Sequence, residues 1–309
     1  MLICNCQEKV FYRSSRWVAR GVELVVYATM VFVVLATITG CVAPAQRARQ
    51  LAQQHGLAPV LLQGKPFQHH GFAAIRGERD LLVLFIEGDG SPWIAGGRRI
   101  AADPTPRVPL ALGLAAATKG SVLYLGRPCY MERVMPPECS QDSWTAQRYS
   151  EGVVASMSAA ASAFVTAHHF EHVLLVGYSG GGTIAALMAR DLPGVIGLVS
   201  VAGNLDPDKW SQLHGYLPLE GSRNPALEPP LPASLPQWYL VGERDTNVPA
   251  AATDRYLVRV APERVWSYPR FDHACCWVAE WPAIFARVMA EVGASTVLTA
   301  PAASKAPNN

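Results

Sequence analysis

The sequence predicts an α/β fold with a doubly wound, mostly parallel sheet. Six apolar runs lack the alternation of a half-exposed strand, as expected for parallel strands that are covered on both faces. Longer segments with helical spacing separate these runs, and this alternation is typical of strands joined by right-handed crossovers. The predicted strands are Leu81–Ile86, Ser121–Gly126, His172–Gly177, Val195–Gly203, Gln237–Gly242 and Arg264–Pro269.

The other predicted elements lie between these strands and ahead of them. Two segments that precede the first core strand, Leu57–Gly64 and Phe67–Gly77, are suited to an antiparallel pair. The segments with helical spacing predict the crossovers of the sheet. The predicted helices are Thr145–His169, Thr183–Leu192, Ala251–Val260 and Val278–Gly293.

The composition favours one globular domain and gives no reason to expect a nucleic-acid partner. The chain has 309 residues, of which 50% are hydrophobic, so one α/β domain of about 200–250 residues has an ample core. The formal net charge is +2 and the basic residues are scattered, which provides no concentrated basic surface. We assign residues 58–293 to the domain and expect the tail, residues 294–309, to be disordered.

The first 41 residues have the features of a bacterial export signal. A basic segment precedes a 15-residue apolar run, Leu24–Ile38, which is shorter than the roughly 20 residues that span a bilayer. The following "ITGC" resembles a lipobox, which implies lipid on Cys41 and anchoring in the cell envelope. Because Val42 follows, the resemblance implies the outer membrane, facing the periplasm. An uncleaved inner-membrane helix is the alternative. Residues 42–57 are expected to form a tether or first helix.

Four cysteines remain after Cys41, an even number that fits an oxidising compartment. The ten-residue spacing of Cys129 and Cys139 favours a disulfide between them. A bond between the neighbours Cys275 and Cys276 would be strained, so we expect these two to be reduced or paired crosswise. Zinc is the alternative use of the cysteines. We predict no metal, because neither pair has C-x-x-C spacing and no histidine cluster accompanies them.

One stretch has the pattern of a nucleophile turn. "GYSGG" (Gly177–Gly181) follows a predicted strand and opens a predicted helix, which is the context that G-x-S-x-G requires. Its glycines permit a tight turn that exposes Ser179, and the helix behind it favours developing negative charge. A glycine turn that only packs two core elements is the alternative.

An acid and a base follow the last two predicted strands. Asp245 in "VGERDTNVP" comes after the first of these, where it would fix the tautomer of a catalytic histidine. Asp206 in "AGNLDPD" is the competing acid, and an N-cap is the structural role open to Asp245. His273 in "YPRFDHACCW" follows the last strand and is the predicted general base. The other seven histidines are expected to be solvated or to pack.

The glycine-rich turn after the first core strand, "FIEGDGSPW", is the predicted oxyanion loop. A main-chain N–H of Asp89 or Gly90 would act there together with that of Gly180. Glu87 precedes these residues. Two carboxylates beside an oxyanion are unfavourable unless they point away or are hydrogen-bonded, so both a bracing and a chemical role stay open for Glu87.

A long insertion is predicted to form a small lid or pocket wall. Residues 204–236 are rich in proline and glycine and lie between two strands, and loops of this length in a compact domain are usually functional. The predicted substrate pocket includes Trp93, Trp210 and Tyr216. These aromatic side chains could equally belong to the core.

The motifs together resemble those of an exported proteobacterial α/β-hydrolase. The resemblance covers Pro59 to Gly293 through "IEGDG", "DPTPR", "LGRPC", "GYSGGG", "AGNLD", "VGERDTNVP" and "FDHACCW". It implies the α/β-hydrolase fold and the triad Ser179, Asp245 and His273, with Glu87 in place of the histidine common in this superfamily.

This reading predicts a serine hydrolase that forms an acyl-enzyme and needs no cofactor. A small-molecule carboxylic ester is the default substrate. A peptidase or thioesterase using the same triad, and a non-catalytic envelope binding protein on the same fold, are the alternatives.

Overall fold

The computed structural model describes residues 43–77 and 80–299, without the side chains of residues 294–299. The expected export signal, the lipidation site Cys41 and residues 300–309 of the tail lie outside the described residues. Within the described ranges, no helix combines the length and apolar character needed to cross a membrane.

In the described residues, ten strands form one large sheet and one small hairpin. The eight-stranded sheet has the order β1-β2-β6-β3-β7-β8-β9-β10, and β4 pairs with β5 in the hairpin. Strand β2 runs antiparallel to both of its neighbours, whereas the pairs from β6 to β10 are parallel. The strands are β1 (Ala58–Gln63), β2 (Gln68–Ala74), β3 (Leu81–Ile86), β4 (Trp93–Ile94), β5 (Arg99–Ile100), β6 (Ser121–Leu125), β7 (His172–Tyr178), β8 (Val195–Val201), β9 (Gln237–Gly242) and β10 (Val265–Tyr268).

Helices cover both faces of this sheet, as a doubly wound fold requires. Short 3₁₀ turns at Gln141–Trp144, Ala250–Ala252 and Pro262–Arg264 lie in the connections. The α-helices are α1 (Pro44–Gln54), α2 (Leu110–Ala117), α3 (Glu151–His168), α4 (Gly180–Met188), α5 (Pro207–His214), α6 (Asp254–Leu257) and α7 (Trp277–Thr299).

Strand β3 shows how the two faces divide the core. Its side chains alternate between two hydrophobic clusters, with Leu84 in one and Phe85 in the other, and both residues are fully buried. Helices α3 and α4 contribute to the Leu84 cluster, whereas α1, α2 and α7 contribute to the Phe85 cluster. Burial on both faces explains why the sequence of this strand is apolar throughout.

The predicted strands of the main sheet are present, and the mostly parallel architecture is confirmed. Several helical boundaries differ from the sequence-based expectation, and helix α4 spans Gly180–Met188 rather than Thr183–Leu192. Helix α3 begins at Glu151 rather than Thr145, because the Ser150 hydroxyl caps it by accepting a hydrogen bond from the Val153 N–H. Only Ala250–Ala252 and α6 are helical in the predicted helix Ala251–Val260.

The last helix continues to Thr299, beyond the predicted end at Gly293. Residues 294–299 contain no proline, and Pro301 is the first helix-breaking residue after Gly293. The β4–β5 hairpin was not predicted, because strands of two residues carry no periodic pattern.

Candidate active site

Ser179 lies at a sharp turn between strand β7 and helix α4. Its φ of 53° and ψ of −123° are unusual for a residue with a side chain, and such strain is typical of a nucleophile turn. Two glycines permit the turn. A Cβ at Gly177 would overlap the carbonyl oxygen of Gly181, and a Cβ at Gly181 would overlap that of Ile86. The turn therefore presents the serine hydroxyl at the carboxyl end of the sheet.

The side chains of Ser179, His273 and Asp245 form a continuous hydrogen-bonded chain. His273 Nε2 lies 3.0 Å from Ser179 Oγ, and His273 Nδ1 lies 2.8 Å from Asp245 Oδ2. Asp245 is buried, and its Oδ1 accepts hydrogen bonds of 2.8 Å from the main-chain N–H groups of Asn247 and Val248. The fixed carboxylate can accept a hydrogen bond from the Nδ1–H group, which leaves the unprotonated Nε2 facing the serine hydroxyl.

The loop that carries His273 is braced by its neighbours. The indole N–H of the buried Trp277 donates to the main-chain oxygens of Asp272 and His273, at 3.1 and 3.2 Å. The Asp272 carboxylate accepts hydrogen bonds from the main-chain N–H groups of Cys275 and Ala274, at 2.7 and 2.8 Å. These two bonds lower the pKa of Asp272.

Cys275 and Cys276 in this loop were expected to be reduced or paired crosswise, and the structure differs. Cys275 and Cys276 are bonded to each other, with their Cα atoms 3.1 Å apart across a cis peptide bond. Cys129 is bonded to Cys139, the pair that the spacing favours, with a Cα–Cα distance of 5.7 Å. Among the described residues, no other cysteine is left to pair with Cys275 or Cys276.

Asp206, the competing acid, occupies a different position. Its Oδ1 accepts hydrogen bonds from the main-chain N–H of Lys209, at 3.2 Å, and from the Asn224 side chain, at 2.8 Å. Its Oδ2 lies 2.8 Å from Arg255 Nε. Asp206 therefore caps helix α5, whereas the carboxylate on His273 belongs to Asp245.

The loop after strand β3 passes directly beside Ser179. A Cβ at Gly88 would lie 3.2 Å from the Ser179 Cβ, and a Cβ at Gly180 would overlap the Asp89 carboxylate. The Gly88 N–H is already bonded to Glu87 Oε1, at 3.1 Å. Within residues 43–77 and 80–299, no hydrogen bond engages the main-chain N–H of Asp89 or of Gly180. These two N–H groups are therefore the candidate oxyanion donors.

Gly90, the alternative donor, packs against another part of the chain. Its φ is 65°, and a Cβ there would overlap the carbonyl oxygen of Pro104. That same oxygen accepts a hydrogen bond of 2.8 Å from the Ser91 N–H. Gly90 thus permits the close approach of two loops, and the segment beside Ser179 is Gly88–Asp89.

The Asp89 side chain holds this loop in place. Its Oδ1 accepts a hydrogen bond from Arg127 at 3.0 Å, and its Oδ2 accepts bonds from Arg148 at 3.0 Å and the Tyr149 hydroxyl at 2.6 Å. The Tyr130 hydroxyl donates to the Asp89 main-chain oxygen at 2.7 Å. Burial acts to raise the pKa of Asp89, but the two guanidinium groups and Tyr149 outweigh it and hold the pKa below its usual value.

Comparison with known proteins identifies the architecture. No protein-family model and no curated protein matches the chain. A Pyrococcus furiosus esterase is similar in structure, with a TM-score of 0.51, 12% identity, and coverage of 76% of this chain and 89% of the esterase. A candidate lipase from Acinetobacter baumannii has a TM-score of 0.50 and 15% identity, with coverage of 82% of this chain and 98% of that chain.

A protein of unknown function from Agrobacterium tumefaciens, described as an α/β-hydrolase candidate, has a TM-score of 0.50 and 14% identity. The match covers 76% of this chain and 98% of that one. The chain has the α/β-hydrolase fold. At these identities the similarity establishes the fold, and the chemistry must be argued from the site itself.

Glu87 braces the predicted oxyanion loop of this α/β-hydrolase fold. Its Oε1 accepts hydrogen bonds from the main-chain N–H groups of Gly88, at 3.1 Å, and Ala111, at 3.3 Å. The second bond satisfies a donor in the first turn of α2, whose N-cap residue Pro109 provides no side-chain cap. Burial raises the pKa of Glu87 to about 7, although the main-chain bonds oppose this shift. The structure favours the bracing role for this residue.

A cavity of about 900 Å³ opens above Ser179 in the hydrolase fold, and the three predicted pocket residues all line it. Trp210 is held there by a hydrogen bond of 2.8 Å from its indole N–H to the Asn247 main-chain oxygen. Trp93 and Tyr216 are exposed at 45% and 55%, so they belong to the cavity wall rather than to the core. Within the described residues, no cluster of three or more His, Cys, Asp or Glu side chains could hold a metal ion.

The predicted lid, residues 204–236, serves two purposes in the hydrolase fold. Its first half contributes Trp210 and residues 215–220 to the cavity wall. Its second half packs on the body of the domain, where Ala226 and Leu231 are buried in the core. The lid is therefore shorter than predicted, because apolar side chains tie the segment after residue 223 to the sheet.

The buried Glu87 makes a specific prediction for stability against pH. Below pH 4.5 the carboxyl is protonated in both the folded and the unfolded chain. Between pH 4.5 and about 7 the unfolded chain ionises first, so the free energy of unfolding falls. Glu87→Gln removes this loss, and its stability relative to wild type should rise by about 3 kcal/mol across this range. Urea unfolding of both proteins at several pH values measures the difference. Plots of unfolding free energy against pH that run parallel for wild type and Glu87→Gln would contradict the prediction.

Proposed function

We propose that this protein is a serine hydrolase that cleaves an acyl bond, with a carboxylic ester as the simplest substrate. The observation that carries the proposal is the unbroken chain from Ser179 Oγ to His273, at 3.0 Å, and from His273 to Asp245, at 2.8 Å. It is supported by the cavity above Ser179, which has room for a substrate of moderate size.

In the proposed reaction, His273 Nε2 takes the proton of Ser179 as its oxygen attacks the carbonyl carbon. The imidazolium that forms is stabilised by the Asp245 carboxylate, and the carbonyl oxygen becomes an oxyanion. The main-chain N–H groups of Asp89 and Gly180 stabilise this charge, aided by the N-terminus of helix α4. His273 then protonates the leaving group, and water attacks the acyl-enzyme in a second cycle with the same proton transfers.

Esters, thioesters and peptides all fit this sequence of steps, so the substrate bond has to be tested directly. A non-catalytic binding protein would need neither the strained serine nor the two hydrogen bonds to His273. Rates on p-nitrophenyl esters of increasing chain length, a matching thioester and a peptide anilide would rank the three substrate classes.

Covalent labelling tests the nucleophile. A fluorophosphonate probe should label wild-type protein, and Ser179→Ala should abolish labelling because it removes the attacking oxygen. Ser200→Ala is the matched control, since Ser200 is a buried serine of strand β8 that the mechanism does not use. Folded wild type that resists the probe, or equal loss in both variants, would overturn the assignment.

Replacing each aspartate with asparagine distinguishes the roles of Asp245 and Asp206. Asp245→Asn should lower kcat by about 10³–10⁴, because an amide favours the wrong histidine tautomer. Asp206→Asn keeps a capping side chain on helix α5 and should change kcat by less than about threefold. Steady-state kinetics on a soluble ester measures both variants. A larger loss in Asp206→Asn would reassign the acid.

We also propose that Cys41 carries lipid and holds the protein in the cell envelope, with the outer membrane as the expected site. This rests on the sequence of residues 1–42. Mass spectrometry of the full chain from a bacterial membrane fraction should find a lipid-modified N-terminus at Cys41, and Cys41→Ala should accumulate as precursor. An unmodified N-terminus at Met1 in the membrane fraction would favour the alternative, an uncleaved inner-membrane helix.

A further inference from the structure

The mouth of the cavity is unusually apolar for a protein surface. Val108 and Leu217 line it while 78% and 85% exposed, and the aromatic side chains of Trp93 and Tyr216 line it while about half exposed. These four residues come from three separate segments of the chain. Single exposed apolar residues need no explanation, but several around one opening indicate an interaction surface.

Exposed arginines accompany this apolar rim. Arg98 and Arg99 lie on the β4–β5 hairpin that carries Trp93, and Arg107 lines the cavity beside Val108. None of the three takes part in the salt bridges formed between described residues. Among the described residues, the exposed acidic neighbours are Glu220, which lines the cavity, and Asp103, on the loop that carries Arg107. The surface around the mouth therefore combines apolar side chains with three arginines against two acidic residues.

We propose that this rim docks on an anionic lipid bilayer and that the substrate is a long-chain acyl lipid drawn from it. The inference rests on the proposed hydrolase function and extends it to a substrate class. Tryptophan and tyrosine favour the interface between lipid and water, aliphatic side chains enter the acyl region, and arginines are attracted to anionic headgroups.

The position of the rim favours a bilayer over a protein partner. A protein seated on these four side chains would cover the opening that leads to Ser179. A bilayer in the same place would supply substrate through that opening, and an acyl chain would pass from lipid into an apolar cavity without crossing water.

The predicted lipid anchor at Cys41 also favours a bilayer as the partner of this rim. Only Val42 and Ala43 separate Cys41 from the first residue of helix α1, Pro44. A chain of three residues spans at most about 11 Å. If Cys41 carries lipid, this short tether keeps the hydrolase fold at a membrane surface, where lipids are the most abundant acyl compounds.

The test compares two substrates on the full-length protein. One is a soluble short-chain p-nitrophenyl ester, and the other is a long-chain phospholipid in vesicles of equal parts phosphatidylglycerol and phosphatidylcholine. The measured quantity is the ratio of the vesicle rate to the soluble rate, which cancels differences in the fraction of folded protein. The double variant Val108→Ser/Leu217→Ser should lower this ratio roughly tenfold or more.

Matched controls come from exposed apolar residues that do not line the cavity. Val258 is 82% exposed and Leu61 is 59% exposed, so Val258→Ser/Leu61→Ser removes comparable side chains elsewhere. The ratio of this variant should stay within about twofold of wild type. Arg99→Glu/Arg107→Glu should lower the rate on anionic vesicles more than on vesicles of phosphatidylcholine alone.

The outcomes separate this inference from the proposed function. Turnover of neither substrate by wild type would overturn the hydrolase itself. Turnover of the soluble ester with no action on vesicles would overturn the lipid inference alone. An equal fall of the ratio in the rim and control variants, or no fall in either, would also overturn it. A selective fall in the rim variant supports it.

Discussion

A carboxylate shared by two arginines holds together the face of the protein that carries the candidate active site. Asp89 joins the loop after β3 to Arg127, just after β6, and to Arg148, just before α3. Both arginines are almost fully buried, so deleting the carboxylate would strand positive charge in the interior, a change that typically costs about 3–5 kcal/mol. Because the candidate oxyanion N–H belongs to the same residue, the ion pairs that stabilise this region also set the direction of that donor.

The strained backbone at Ser179 is likewise held by contacts with neighbouring elements. Positive φ at a residue with a side chain costs on the order of 1–3 kcal/mol, so the surroundings must impose it. The Ser179 N–H donates to Val201 at 2.9 Å, and its carbonyl oxygen accepts from Gly182 at 2.9 Å and from Asn204 at 3.0 Å. Helix α4 and the end of strand β8 thus fix the turn from both sides, and the strain persists because the sheet around it is tightly packed.

The sequence was sufficient for features that depend on neighbouring residues. The apolar strands, the G-x-S-x-G turn and the polar residues just after strand ends are local signals, and they led to Ser179, Asp245 and His273. The partners of Asp89 were missed, because Arg127 and Arg148 are far from it in the chain and follow no periodic pattern. The sequence could not distinguish a bracing role of Glu87 from a chemical one, because its partner Ala111 belongs to another element.

The disulfide beside the proposed base restricts the His273 loop before any substrate binds. Cys275 and Cys276 close a small ring two residues after His273, and the same loop is tied by Asp272 and Trp277. Much of the torsional freedom of this loop is therefore lost when the chain folds and the disulfide forms, which is before substrate binding. In the proposed mechanism, little ordering of the His273 imidazole is therefore left for substrate binding, and binding energy can be used at the reacting carbonyl.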